Sequence, residues 1–374
     1  MDDRHTHANH NKQKTRGRLL MEITAISGEY PADNILRLIP THSYAKKVIS
    51  SLIGGNMIKQ VSTGGLKGYR LTAKGKRSLI SDNPAGFAGF LSGSIETNKM
   101  RSGYERRLRL HSLAEVCTLM YCAGVEIFAD SKPGLFLHSE QSPIAINVPC
   151  FYTSREQKGQ DDNAIRGSRA AGTLLTPSHV YAVYNTGNTE SRWSEKVEQR
   201  FKVELHSYIC RNLLSHQYQD GLVSGVMIGA SMAVLEKYLV VRATQPTAYH
   251  FLTKAYSSFY YITNDNCGEA QIKLLCETEK MTGLRNILQT GLHPPDSKHH
   301  IEHDALTKDG NPVLFCCLLN IPRLIRFRNG TVLHNKIGKI IAFDFQIDVL
   351  RRYFGDTVEF VSISFDKFVR RFLL

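Results

Sequence analysis

Residues 41–79 read THSYAKKVISSLIGGNMIKQVSTGGLKGYRLTAKGKRSL, and the succession of periods in this stretch leaves few ways to fold it. Tyr44, Ala45, Val48, Ile49, Leu52 and Ile53 recur at three- and four-residue spacing, which predicts an amphipathic helix capped by Thr41. Ser43, Lys46, Lys47 and Ser50 fall on its opposite face. Gly54, Gly55 and Asn56 stop the helix. Residues 57–61 then read as a strand, Ser62-Thr63-Gly64-Gly65 as a turn, and 67–71 as the returning strand. Thr72 caps a further helix through Lys74, Lys76 and Arg77.

Upstream, 18–27 and 32–39 supply two more helices, the second opened by Pro31. Helix, helix, helix, hairpin, helix is the order of a winged helix-turn-helix. In that arrangement Ser43, Lys46, Lys47 and Ser50 face a major groove, and Lys59, Lys67 and Arg70 of the hairpin reach adjacent phosphates. The plain alternative is a small lobe whose lysines only keep it soluble.

The net charge of +13 is unevenly placed. Residues 1–110 hold 19 Lys and Arg against 8 Asp and Glu, a balance of +11 that leaves +2 for the rest. A polyanion partner therefore belongs to the first third. Anionic membrane attracts the same charge, but no apolar run approaches the ~20 residues needed to span a bilayer. No helix shows a large bare apolar face either. Double-stranded DNA is the expected partner. The polar opening MDDRHTHANHNKQKTRGR has no signal-peptide core, which predicts a cytoplasmic protein. The eight cysteines show no C-x-x-C spacing, which predicts buried reduced thiols; adjacent Cys316 and Cys317 point to opposite faces of a strand, a packing pattern and not joint zinc ligation.

Residues 1–15 read as a disordered arm, 16–82 as the winged module and 83–107, rich in Pro, Gly and small polar residues, as a linker or a loosely helical bridge. From 108 to 374, helices alternate with β-rich runs at 134–138, 147–152, 172–175, 180–184, 223–228, 257–262, 313–319, 337–345 and 358–363. One long helix is expected over 268–288. This rhythm predicts an α/β body with a mainly parallel sheet and leaves open a subdivision near 240.

No P-loop or dinucleotide fingerprint follows a predicted strand, and no nucleophile elbow occurs, so nothing calls for a nucleotide, a cofactor or a metal. His5, His7 and His10 lie on the arm, and His299, His300, His303 and Asp304 follow Pro294-Pro295 in a polar stretch that reads as a solvated loop. Tyr260-Tyr261 sit in the aromatic strand SSFYYIT and read as core. A relaxase would need a His-apolar-His triplet beside them, and the chain has none.

The N-terminal module together with RAAGTLLTPSHVYAVYNTGN, residues 169–188, is similar to the replication-relaxation family of plasmid and integrative-element proteins. The resemblance implies a winged helix before a core like that of restriction endonucleases. In such cores a P-D pair opens one strand and an E-x-K or E-x-D pair closes the next, because two carboxylates hold the metal that activates water. The corresponding positions here are Ala170-Ala171 and Tyr184-Asn185-Thr186, so both carboxylates are missing. The resemblance thus implies a degenerate core acting as a scaffold, with replication or conjugation proteins as further partners.

Arg155, Lys158, Arg166 and Arg169, set among Ser and Gly, form a candidate second phosphate site. Arg192, Lys196, Arg200 and Lys202 alternate with Glu190, Glu195, Glu198 and Glu204 at spacings that suit helix ion pairs. The resulting expectation is a non-enzymatic DNA-binding protein, an accessory factor in replication or transfer of a mobile element. Two alternatives stand beside it. One is a metal-dependent nuclease using the nearby acids Glu156, Asp161 or Asp162; the other is a transcription regulator whose body senses a ligand or dimerises.

Overall fold

Helix α1, Arg16–Ser27, is the centre of the first of two units into which the chain divides, residues 1–118 and 119–374. The computed structural model describes residues 15–91, 103–136, 144–157, 168–188, 194–212, 218, 223–239, 255–297 and 299–373, so residues 1–14 of the expected arm lie outside the described residues. Every residue of α1 from Leu19 to Ser27 is buried. A helix buried on all sides needs partners for its polar groups, and its one acid, Glu22, is met by Arg18 Nε at 2.9 Å. The two polar side chains near its end bond backward to the carbonyls of the preceding turn, Thr24 to Leu20 at 2.6 Å and Ser27 to Ile23 at 2.8 Å.

Around α1 the chain lays down β1 (Tyr30–Pro31), a 3-10 turn (Ala32–Asn34), α2 (Ile35–Leu38), α3 (His42–Gly54), β2 (Ile58–Thr63), β3 (Leu66–Leu71) and α4 (Ala73–Asp82). The strands form one antiparallel sheet in the order β1-β3-β2. Thr63 pairs with Leu66, so only Gly64 and Gly65 make the turn, with φ of 59° and 82°. Two successive positive φ values give the turn whose twist matches the strands, and glycine adopts them without strain. Strand β1, two residues long, is not predicted by the sequence.

The stretch 83–107, read as a linker or a helical bridge, is helical at both ends. Pro84–Leu91 is helix α5 and buries Gly86, Phe87, Phe90 and Leu91, and Tyr104–Cys122 is helix α6. Proline at a first helical position and an i, i+3, i+4 apolar stripe outweigh the loop-like composition.

A buried carboxylate ties these elements together. Glu29, between α1 and β1, has no solvent exposure. Arg107 of α6 donates to it through Nη2 at 2.6 Å and Nε at 3.0 Å. Arg70 of β3 donates through Nε at 2.7 Å, and His111 Nε2 lies 2.8 Å from Oε1. Burial alone would raise the Glu29 pKa, but the bonds from His111, Arg107 and Arg70 outweigh it and hold the carboxyl at about 2.

The second unit is α/β. Its elements run β4 (Cys150–Thr153), α7 (Ser154–Gln157), β5 (Gly172–Leu175), β6 (Val180–Gly187), α8 (Glu195–Asn212), β7 (Val223–Gly229), α9 (Met232–Leu239) and β8 (Phe259–Thr263). Then follow α10 (Asn266–Cys276), α11 (Thr278–Leu288), β9 (Ala305–Leu306), β10 (Pro312–Phe315), β11 (Leu319–Asn320), α12 (Ile321–Leu333), β12 (Gly338–Phe343), α13 (Asp344–Phe354), β13 (Val358–Ile363) and α14 (Phe365–Phe372). The helix expected over 268–288 breaks at Glu277. The described part of 134–138 forms no strand.

A mainly parallel sheet is also corrected, because both sheets are mixed. In the six-stranded sheet, order β11-β8-β7-β6-β5-β4, the pairs β6/β7 and β7/β8 are parallel while β4/β5, β5/β6 and β8/β11 are antiparallel. The turn at 176–179 is too short for the crossover that a parallel β5/β6 pair requires. In the four-stranded sheet, order β13-β12-β10-β9, only β9 runs against its neighbour. Strand β7, before residue 240, pairs in parallel with β8 beyond it, so one sheet spans the point where a subdivision was considered. Cys316 and Cys317 lie just beyond β10, and each is buried in a different apolar cluster. No helix among the described residues is long and apolar enough to cross a membrane.

The Glu29 carboxyl, depressed from 4.5 to about 2, contributes stability that is fully present above pH 4.5 and lost as pH falls towards 2. At about 1.4 kcal/mol per pH unit this amounts to about 3 kcal/mol. Glu29→Gln should lower stability in urea unfolding at neutral pH by about 3–5 kcal/mol, because it strands two buried guanidinium groups. Its acid-induced loss should be correspondingly smaller than that of the unsubstituted protein; parallel curves would contradict the assignment.

Candidate nucleic-acid interface

Helix α3 lies against its unit with a narrow face. Ala45 is buried and Val48, Ile49 and Leu52 are half-buried, while Ser43, Lys46, Lys47 and Ser50 are exposed. Tyr44 and Ile53, expected on the apolar face, are 47% and 42% exposed, so the face that packs is narrower than the sequence period predicts. Thr41 makes no side-chain cap, and its carbonyl instead accepts from Ala45 N at 2.8 Å. At the other end Lys74 Nζ donates to Gly55 O at 3.0 Å, a cation at a helix C terminus where the backbone dipole favours it. Thr72 caps α4 through Gly75 N at 3.1 Å and also donates to Met57 O at 3.2 Å, which fixes α4 to the turn between α3 and β2. Lys47 rims an open groove of about 520 Å³ lined also by Met21, Val48, Leu52 and Met57.

On the hairpin Lys59 and Lys67 are exposed, as expected. Arg70 is not. It is buried on Glu29, so its charge is already spent inside the unit and the reading of Arg70 as a phosphate contact is corrected. Residues three apart on a strand point to opposite faces, so Lys67 and Arg70 never share one. Lys67 lies opposite Ser62, and Lys59 opposite Arg70. Half-buried Lys76 on α4 is near the same place; burial lowers its pKa first, and the charges of Lys59 and Arg70 lower it further.

The charge around this surface has one sign. Between Asp33 and Asp82 the chain contains nine Lys and Arg and no Asp or Glu. Asp82 is paired with Arg18, and Glu29 is enclosed.

The second phosphate site assembles differently from expectation. Lys158 and Arg166 lie outside the described residues. The ladder of β4 and β5 is extended by Ser154 N to Ala171 O at 2.7 Å and ends there, with Arg155 in α7 and Arg169 in the segment before β5. Yet the Arg169 amide donates to Glu198 Oε1 at 2.8 Å, Ser168 Oγ donates to Oε2 at 2.7 Å and Tyr184 OH to the same oxygen at 3.0 Å. Glu198 is fully buried. The buried carboxylate takes the Arg169 amide and the Ser168 hydroxyl, while the Arg169 side chain is exposed. Glu198 was also expected in a surface ion pair; that role falls to Arg200 and Glu204, 2.6 Å apart.

Tyr184 therefore occupies the position where the resemblance would place a carboxylate, and its hydroxyl meets Glu198 and, at 2.6 Å, the hydroxyl of Tyr256. Burial, with Tyr256 and Glu198 beside it, pushes its pKa well above the ordinary range. Glu156 is held by Lys132 at 2.8 Å and by Thr153 N at 2.7 Å, and Asp161 and Asp162 lie outside the described residues. Asp304 is buried against Arg285 at 2.9 Å and Arg323 at 3.0 Å, and His303 bonds backbone through both ring nitrogens. Tyr261 is fully buried in the sheet. Among the described residues no three His, Cys, Asp or Glu side chains stand together as a metal site.

Gly68 shows how tightly the hairpin is set, since a Cβ there would lie 2.3 Å from Glu29 Oε1 and 2.7 Å from His111 Nε2. Gly68→Ala should destabilise the protein by about 1–3 kcal/mol or more in denaturant unfolding, the cost of overpacking a site that cannot give; an unchanged midpoint would contradict this geometry. Compared with known proteins, the chain matches no family model, no curated protein and no solved structure.

Proposed function

We propose that the first unit is a winged helix-turn-helix that binds duplex DNA, with α3 as the recognition helix and β2-β3 as the wing. The observation that carries this reading is the acid-free run between Asp33 and Asp82, which holds nine basic residues and spans both elements. Ordinary soluble surfaces intersperse both signs of charge. A helix presenting Ser43, Lys46, Lys47 and Ser50 beside a hairpin with Lys67 on one face and Lys59 on the other suits a polyanion whose groove the hairpin enters. The lysines supply phosphate contacts, and the serines are short enough to let the helix approach base edges.

Following the resemblance of residues 169–188, the setting we favour is cytoplasmic, in replication or transfer of a mobile element, with the α/β unit recruiting other factors. No step of this reading depends on cleavage.

Lys46, Lys47, Lys59 and Lys67, each neutralising one phosphate, would give a slope of log affinity against log salt of about −3.6, or about a hundredfold loss for a fourfold rise in salt. The test is titration of duplex DNA with the full chain and with Lys46→Glu/Lys47→Glu, magnesium present and the DNA recovered intact or nicked. Salt-dependent binding by the parent and its loss in the variant support the reading. Equal binding by both, or none by the parent, overturns it. Nicks that vanish when magnesium is withheld would replace it with the nuclease reading.

A further inference from the structure

Helix α6 begins beyond the residues that sequence assigns to the winged module, yet its first turns hold the wing. Besides Glu29, the Arg107 guanidinium donates to three hairpin carbonyls: Thr63 O at 3.1 Å, Val61 O at 3.0 Å and Leu66 O at 3.1 Å. These carbonyls lie on both strands and bracket the Gly64-Gly65 turn. One turn earlier Tyr104 covers the tip, where a Cβ on Gly64 would lie 3.1 Å from its ring, and the tyrosine itself stays 48% exposed.

A two-stranded hairpin is marginal alone and its tip wanders. Here the tip is clamped from the side by a side chain that is itself 1% exposed and anchored on a buried carboxylate. Lys67 is the next residue after Leu66, whose carbonyl Arg107 holds, so clamping the strand fixes where the Lys67 ammonium can reach. Ordering the contact before binding removes an entropic cost from the complex.

We propose that Arg107 is a positioning residue for DNA: it sets the wing so that Lys67 meets a phosphate, with Tyr104 bracing the tip. The nucleic-acid-binding module therefore extends into α6. The inference rests on the DNA-binding reading above. Arg107 itself is enclosed and touches no nucleic acid.

The test is a double-mutant cycle in the full chain, reading duplex DNA affinity across a salt series. Lys67→Ala should reduce the magnitude of the salt slope by about 1, the signature of one lost phosphate contact. Arg107→Leu should reduce it by the same amount, and the double variant should lose no more than either alone. A purely structural role would lower the folded fraction and leave the slope of the folded protein intact. Thermal unfolding checks that Arg107→Leu folds; should it not, Tyr104→Ala, a change at an exposed residue, takes its place. It should weaken binding about fivefold in the parent and not at all in the Lys67→Ala background.

An unchanged slope in folded Arg107→Leu, full additivity with Lys67→Ala, or no effect of Lys67→Ala overturns the proposal. Failure of the DNA-binding reading would show separately, as equal affinity of the parent and Lys46→Glu/Lys47→Glu.

Discussion

An ionised carboxylate with no access to water is costly unless its oxygens are filled with donors. Glu29 meets that condition with two arginines and a histidine drawn from β3 and α6. The consequences spread outward. Gly68 has to be glycine so that Glu29 and His111 can lie against β3. Arg70 is drawn inside the sheet and withdrawn from the surface, and Arg107, placed by the same carboxylate, reaches the hairpin carbonyls through Nη1 and through the Nη2 it shares with Glu29. The wing's position is thus a consequence of neutralising one buried charge. Removing the acid from the surface also leaves the outer face of α3 and the hairpin without a compensating negative charge.

The elements that local rules govern were legible in the sequence. Helix α3 and its polar face follow from a 3.6-residue period, and the hairpin follows from two glycines between alternating strands. The Glu29 cluster was not legible, because ISGEYP gives no sign that its acid is enclosed, and Arg107 lies 78 residues away. Spacing along a chain says nothing about pairs that tertiary packing creates. One signal was available for Arg70: three residues from Lys67 on a strand, it had to point the other way. Helix α5 was only half legible, because glycine and proline left a linker and a loose helix equally open while Phe87, Phe90 and Leu91 kept helical spacing.

The α/β unit shows the same division. Its strands and helices follow from hydrophobic runs, but strand direction depends on connection length and on which neighbours pair, and both sheets came out mixed. Glu198 had the spacing of a surface helix acid and instead accepts three bonds in the interior, from Ser168, Arg169 and Tyr184. Such fully satisfied buried polar groups specify one packing of a core, since any other leaves a charge unpaired.

The most direct measurement is hydrogen exchange of the full chain with and without saturating duplex DNA, resolved to short peptides. Binding through the proposed surface predicts slowed exchange in residues 42–54 and 58–71, with the early turns of α6 included and residues 119–374 unchanged. Slowing confined to 119–374, or no change anywhere, would contradict the account.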